Sequence, residues 1–127
     1  MAKKRILLVD DEPDIVSLAQ ARLEQIGYEV ISACDGQEGL DKARAEAPDL
    51  IILDLMLPKL DGYKVCQMLK LDEKYKAIPI ILFSAKGQES DKKTGEDVGA
   101  NAYVTKPFEP QIFLGTIDKL LKETGNG

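Results

Sequence analysis

The feature that most constrains what this chain can fold into is a repeated alternation of short apolar runs with segments of helical spacing. Ile6–Val9, Val30–Ala33, Leu50–Leu53 and Ile78–Phe83 are the main runs, and Ala102–Val104 is a weaker fifth. Runs this short, without clear in-and-out alternation, suit strands covered on both faces. After the first, Pro13 opens a segment in which Ile15, Leu18, Arg22, Leu23 and Ile26 follow at helical steps, with Gly27 as the stop. Asp35 reads as the N-cap of a second helix carrying Leu40, Ala43 and Ala47 and ended by Pro48. Asp61-Gly62 starts a third with Val65, Cys66 and Leu69. A fourth is expected between Gln88 and Val98, a poor one by propensity because of Gly87 and Gly95. Glu109-Pro110 opens the last, with Ile112, Phe113, Ile117 and Leu120, and the terminal KETGNG reads as frayed.

Strict β-α alternation with short loops argues a parallel sheet with helices on both faces. The expected fold class is α/β: a three-layer, doubly wound (βα)5 arrangement of flavodoxin-like type, its five strands in the order 2-1-3-4-5. Residues 1–127 show no linker and no second composition regime, so one domain is expected.

In such a sheet, ligands sit outside the carboxyl ends of the strands, at the switch point of the strand order. The first strand delivers Asp10, Asp11 and Glu12 there, the third Asp54, the fourth Ser84, and the fifth Thr105, Lys106 and Pro107. With strands one, three and four as neighbours, Asp10, Asp11 and Asp54 share one crevice, with Ser84 and Lys106 on its rim. Carboxylates roughly 5 Å apart repel by on the order of 1–3 kcal/mol per pair at effective dielectrics of about 20 to 80. Lys106 supplies one compensating charge, and the rest invites a hard, oxygen-loving ion, Mg²⁺ with Mn²⁺ as the substitute. A carboxylate beside such an ion and a lysine can attack phosphorus to form an aspartyl phosphate. Taken singly, each residue has an ordinary reading: Asp10 and Asp11 as helix-starting acids, Asp54 as a turn acid before Pro58, Lys106 as a surface lysine.

Composition narrows the alternatives. There is no histidine, which removes Ser-His-Asp and Cys-His chemistry, and two cysteines, Cys34 and Cys66, are too few for a zinc site. Both are expected as reduced thiols in or near the core of a cytoplasmic protein. A net charge of −5 disfavours direct nucleic-acid binding, and no apolar stretch has the length of a membrane span. Phosphatases of the haloacid dehalogenase type, which work through an aspartyl phosphate, place a second Asp two positions after the nucleophile as general acid/base. Here that position is Met56, which moves no proton, so an acyl phosphate formed at Asp54 would persist.

ILLVDDEPDI, PDLIILDLMLPKLDGY, PIILFSAK and GANAYVTKPF, in this order and at these spacings, closely resemble the receiver domain of two-component response regulators. The resemblance spans about residues 4–122. It implies a phosphorylation-dependent signalling switch, not a turnover enzyme. Asp54 would be the phosphoacceptor. Asp11, Asp54 and the Met56 backbone carbonyl would bind Mg²⁺, and Asp10 would hold a metal-bound water. Lys106 would pair with the phosphoryl group, Ser84 and Tyr103 would be the switch pair, and Lys106-Pro107 would be a cis peptide. The donor would be a phosphohistidine of a sensor histidine kinase or phosphotransfer protein. The output would run through the face of the fourth helix, fifth strand and fifth helix to a downstream protein, an effector domain or a second copy. Glu96 and Asn101-Ala102 depart from the family's usual residues beside that face. The alternative is an interaction module of the same fold that works without phosphorylation.

Overall fold

Each apolar run becomes a strand: β1 (Arg5–Val9), β2 (Glu29–Ala33), β3 (Leu50–Asp54), β4 (Ile80–Ala85) and β5 (Ala102–Lys106). The structure is a computed structural model that describes residues 3–85, 99–106 and 109–123. Four helices lie among them: α1 (Pro13–Gln25), α2 (Gly36–Glu46), α3 (Gly62–Lys70) and α4 (Pro110–Glu123). The helix expected over 88–98, the Pro107 side of the Lys106-Pro107 peptide and the last residues of KETGNG lie outside the described residues.

The strands pair in parallel in the order β2-β1-β3-β4-β5, the doubly wound, flavodoxin-like order. β1 and β3 are buried along almost their whole length, whereas β2, at one edge, is only half covered. Alternate residues leave the sheet on opposite sides and build two cores. Ile6, Leu8, Ile52 and Phe83 meet α1 and α4 through Leu23, Phe113 and Ile117. Leu7, Val9, Leu53 and Leu82 meet α2 and α3 through Leu40, Val65 and Leu69.

The caps form where the sequence places them. Asp35 accepts from the Glu38 N–H at 2.7 Å and Asp61 from the Lys64 N–H at 2.9 Å. Gly27 ends α1's turn at φ 104°. Other details differ from expectation. α2 stops at Glu46, because Ala47 turns to φ 44° ahead of Pro48. β4 begins at Ile80: Pro79 has no N–H to give the sheet, and the Ile78 N–H is bound to Tyr75 O in a turn. Leu18, Ile26 and Ile112 face outward, while Ala19 and Leu121 are buried in their place. Cys66 is buried as expected, but Cys34 is exposed, because it lies one residue beyond edge strand β2.

Candidate functional site

The register lines up the carboxyl ends of the strands. Val9 sits opposite both Ala33 and Leu53, Asp54 opposite Phe83, Ser84 opposite Thr105, and Ala85 opposite Lys106. Backbone bonds continue the alignment past the strands, from Asp10 N–H to Ala33 O and from Leu55 N–H to Phe83 O, both at 3.1 Å. The acids leaving β1 and β3 therefore meet. Ligand oxygens of Asp10, Asp11, Glu12 and Asp54 all lie within 4.8 Å of one another. Asp10 and Asp54 are buried, and Asp11 and Glu12 are exposed.

Local turns hold the two buried carboxylates. Asp10 Oδ1 accepts from the Glu12 N–H at 2.9 Å, and Asp54 Oδ1 from the Met56 N–H at 3.2 Å. Each acid thus folds back onto the backbone two residues on, as Asp readily does in turns. Gly62, the first residue of α3, packs on the Asp54 carbonyl so closely that a Cβ would stand 2.2 Å from that oxygen. The Met56 side chain points to solvent, 71% exposed, so its contribution to the cleft is its backbone.

Such crowding of negative charge costs on the order of 1–3 kcal/mol per pair at effective dielectrics of about 20 to 80. The donor set fits a hard divalent cation. It consists of oxygens alone, two of its members are held buried, and all of them lie within 4.8 Å of one another. Glu12, the third acid of the unbroken triplet after β1, joins Asp10, Asp11 and Asp54 in this group. The expectations for the Ser84 hydroxyl and Lys106 ammonium concern side chains outside the described set; their strand positions lie at this same end of the sheet. Tyr103, in β5 opposite Leu82, is half-buried against the α2–α3 core.

A second acidic group, Cys34, Asp35 and Glu38, lies beside the cleft but is already engaged by protein donors. Glu38 accepts from the Cys34 N–H at 2.8 Å and the Cys34 thiol at 3.2 Å, and pairs with Lys42 at 3.0 Å. Those contacts hold the Glu38 carboxyl down at about 2, the Cys34 N–H contributing most. The same carboxylate pushes the Cys34 thiol up. A shallow cavity of about 370 Å³ links the two acidic groups and is lined by Asp10, Asp11, Ser17, Cys34, Glu38 and Lys42.

A parallel, doubly wound sheet with an acidic cleft at its switch point defines a flavodoxin-like α/β domain, a class that takes its ligands outside the carboxyl ends of its strands. The sequence model of the response regulator receiver domain matches residues 6–118, and the chain belongs to that family. It is 48% identical over 121 residues to the alkaline phosphatase synthesis transcriptional regulatory protein PhoP of Bacillus subtilis (strain 168), covering 95% of this chain and 50% of that protein. The chain spans about half the length of the curated relatives it matches. Among solved structures it resembles chemotaxis protein CheY4 of Vibrio cholerae, with a TM-score of 0.86 and 33% identity over 94% of this chain and 99% of that one. It also resembles the receiver domain of sensor histidine kinase PA1611 from Pseudomonas aeruginosa PAO1, solved with a magnesium ion coordinated in its active site cleft. There the TM-score is 0.87 with 30% identity, over 95% of this chain and 99% of that one.

Proposed function

We propose that residues 1–127 form a single receiver unit, with its core at about 4–122, in which Asp54 accepts a phosphoryl group and thereby switches a surface. The observation that carries this reading is the meeting of Asp10, Asp11, Glu12 and Asp54 within 4.8 Å at the carboxyl edge of the sheet. Asp11, Asp54 and the Met56 backbone carbonyl would hold Mg²⁺, or Mn²⁺ in its place, and Asp10 would hold a water of its shell. The ion, when bound, offsets the negative charge of the entering phosphoryl group.

The remaining steps belong to the chain. An Asp54 carboxylate oxygen attacks phosphorus of a phosphohistidine on a sensor histidine kinase or phosphotransfer protein. The O–P bond forms as the P–N bond breaks, and the leaving imidazole nitrogen takes a proton from solvent. Lys106 pairs with the transferred group, and Ser84 donates a hydrogen bond to one of its oxygens. The space Ser84 leaves lets Tyr103 turn further inward, so the face carrying β5 and α4 changes shape. Phosphorylation shifts this balance only by its differential affinity for the two arrangements. Met56, two residues after Asp54, offers no acid or base, so the acyl phosphate lasts long enough to signal.

The changed face addresses a downstream protein, an effector domain or a second copy. The net charge of −5 leaves any nucleic-acid contact to that partner rather than to this surface. Among the described residues no helix is long and apolar enough to cross a membrane, and a cytoplasmic setting is the proposal that suits a kinase-fed switch. The test is Asp54→Asn treated with a small acyl phosphate and Mg²⁺, read by intact mass. The wild type should gain one phosphoryl group and the variant none. Equal labelling of the variant would overturn the assignment, and an unlabelled wild type would favour a phosphorylation-independent interaction module.

A further inference from the structure

α2 and α3 both begin on an Asp-Gly pair, and both glycines abut the loop that joins β3 to α3. Gly36 is not in the left-handed region, so its backbone would accept any residue. What excludes a side chain there is the loop: a Cβ on Gly36 would stand 1.6 Å from the Leu60 carbonyl oxygen and 2.6 Å from its carbon. Both are backbone atoms and cannot swing aside. The same turn donates the Gly36 N–H to Pro58 O at 3.2 Å, and Asp35, besides capping α2, faces Lys59 Nζ at 3.6 Å. Lys59 itself sits at φ 68°, a conformation that a lysine keeps only where its surroundings hold it. The loop is thus pinned in its middle by the β2–α2 turn and at its ends by Asp54 and Gly62, with Met56 between.

We propose that Gly36 is a positioning residue for the acidic cleft: seated against the Leu60 carbonyl, it sets the course of the β3–α3 loop and hence the place of the Met56 backbone, whose N–H bonds the Asp54 carboxylate at 3.2 Å. The inference rests on the reading that this cleft takes Mg²⁺ and a phosphoryl group. It differs from a merely structural role in sign as well as in kind. By helix propensity alone, Ala at position 36 would strengthen α2. Here it displaces the loop and weakens the cleft.

The test uses the whole 127-residue chain as wild type, Gly36→Ala and Ile117→Val, the last a core change in α4 remote from the loop. Mg²⁺ is titrated against melting temperature, and the initial rate of labelling by a small acyl phosphate is followed at limiting and saturating Mg²⁺. Gly36→Ala should need about 10-fold more Mg²⁺ for the same response. Its labelling rate should fall at limiting Mg²⁺ and recover towards wild type at saturation. Ile117→Val should melt earlier with an unchanged Mg²⁺ midpoint. A second measurement needs no variant: hydrogen exchange of the wild-type Gly36 amide should slow as Mg²⁺ saturates. A wild-type midpoint in Gly36→Ala, or Gly36 exchange indifferent to Mg²⁺ in a wild type that binds it, overturns this inference alone. A wild type that ignores Mg²⁺ altogether sinks the cation reading, and this inference with it.

Discussion

Cys34 and Cys66 show what surroundings do to identical side chains. Burial pushes the Cys66 thiol up to about 11, while exposed Cys34 is raised chiefly by the hydrogen bond it gives Glu38. At about pH 8, near the ordinary thiol range, iodoacetamide should modify Cys34 in the folded protein and spare Cys66. Glu38→Gln should speed Cys34 alkylation, because the carboxylate that opposes the thiolate is gone; an unchanged rate would count against the contact. Glu38 also carries a pH signature. Its folded carboxyl lies at about 2 against an ordinary 4.5, so its stabilisation is present above 4.5 and is lost as pH falls towards 2. Glu38→Gln should therefore melt earlier than wild type at neutral pH, and the gap should close on acid titration. At this scale the sequence was partly legible. Asp10, Asp11 and Asp54 stand out because acids end apolar runs. The exposure of Cys34 does not, since a residue just past a strand looks the same on an edge strand as on a central one.

At the scale of elements, caps and breakers were readable because their causes are local. Asp35 and Asp61 accept from the N–H three residues on, and Asp35→Ala should cost about 1 kcal/mol in a denaturant midpoint. β4 starts later than its apolar run, because Ile78 is apolar enough for a strand, yet its N–H closes a turn to Tyr75. The conformations of Gly36 and Gly62 do not demand glycine; close approach of another backbone does, and no local pattern encodes that. Gly62→Ala should destabilise by roughly 1–3 kcal/mol through overpacking against the Asp54 carbonyl. It should also lower Mg²⁺ response, whereas a neutral effect on chemical denaturation would show that the loop yields freely.

At the scale of the whole molecule, the order of strands converts dispersed residues into a site. Alternation argues a parallel sheet, the flavodoxin-like order β2-β1-β3-β4-β5 is the favoured one for five strands, and that order puts the ends of β1 and β3 side by side. The two cores fix that register from both faces, with Phe83 and Phe113 in contact at 5.4 Å between ring centroids. Phe113→Ala should cost roughly 3–5 kcal/mol and loosen α4 without touching an acid. If the cleft is a cation site, Mg²⁺ at about 100 times its Kd should add about 2.7 kcal/mol of stability to the wild type, and far less when Asp11 is replaced by Ala. The most direct measurement is to treat the wild type with a small acyl phosphate with and without Mg²⁺, digest it, and map the phosphoryl group by mass. A single modified peptide bearing Asp54, formed only with Mg²⁺, is the expected result. Modification at another residue, or at Asp54 to the same extent without the ion, would contradict the account.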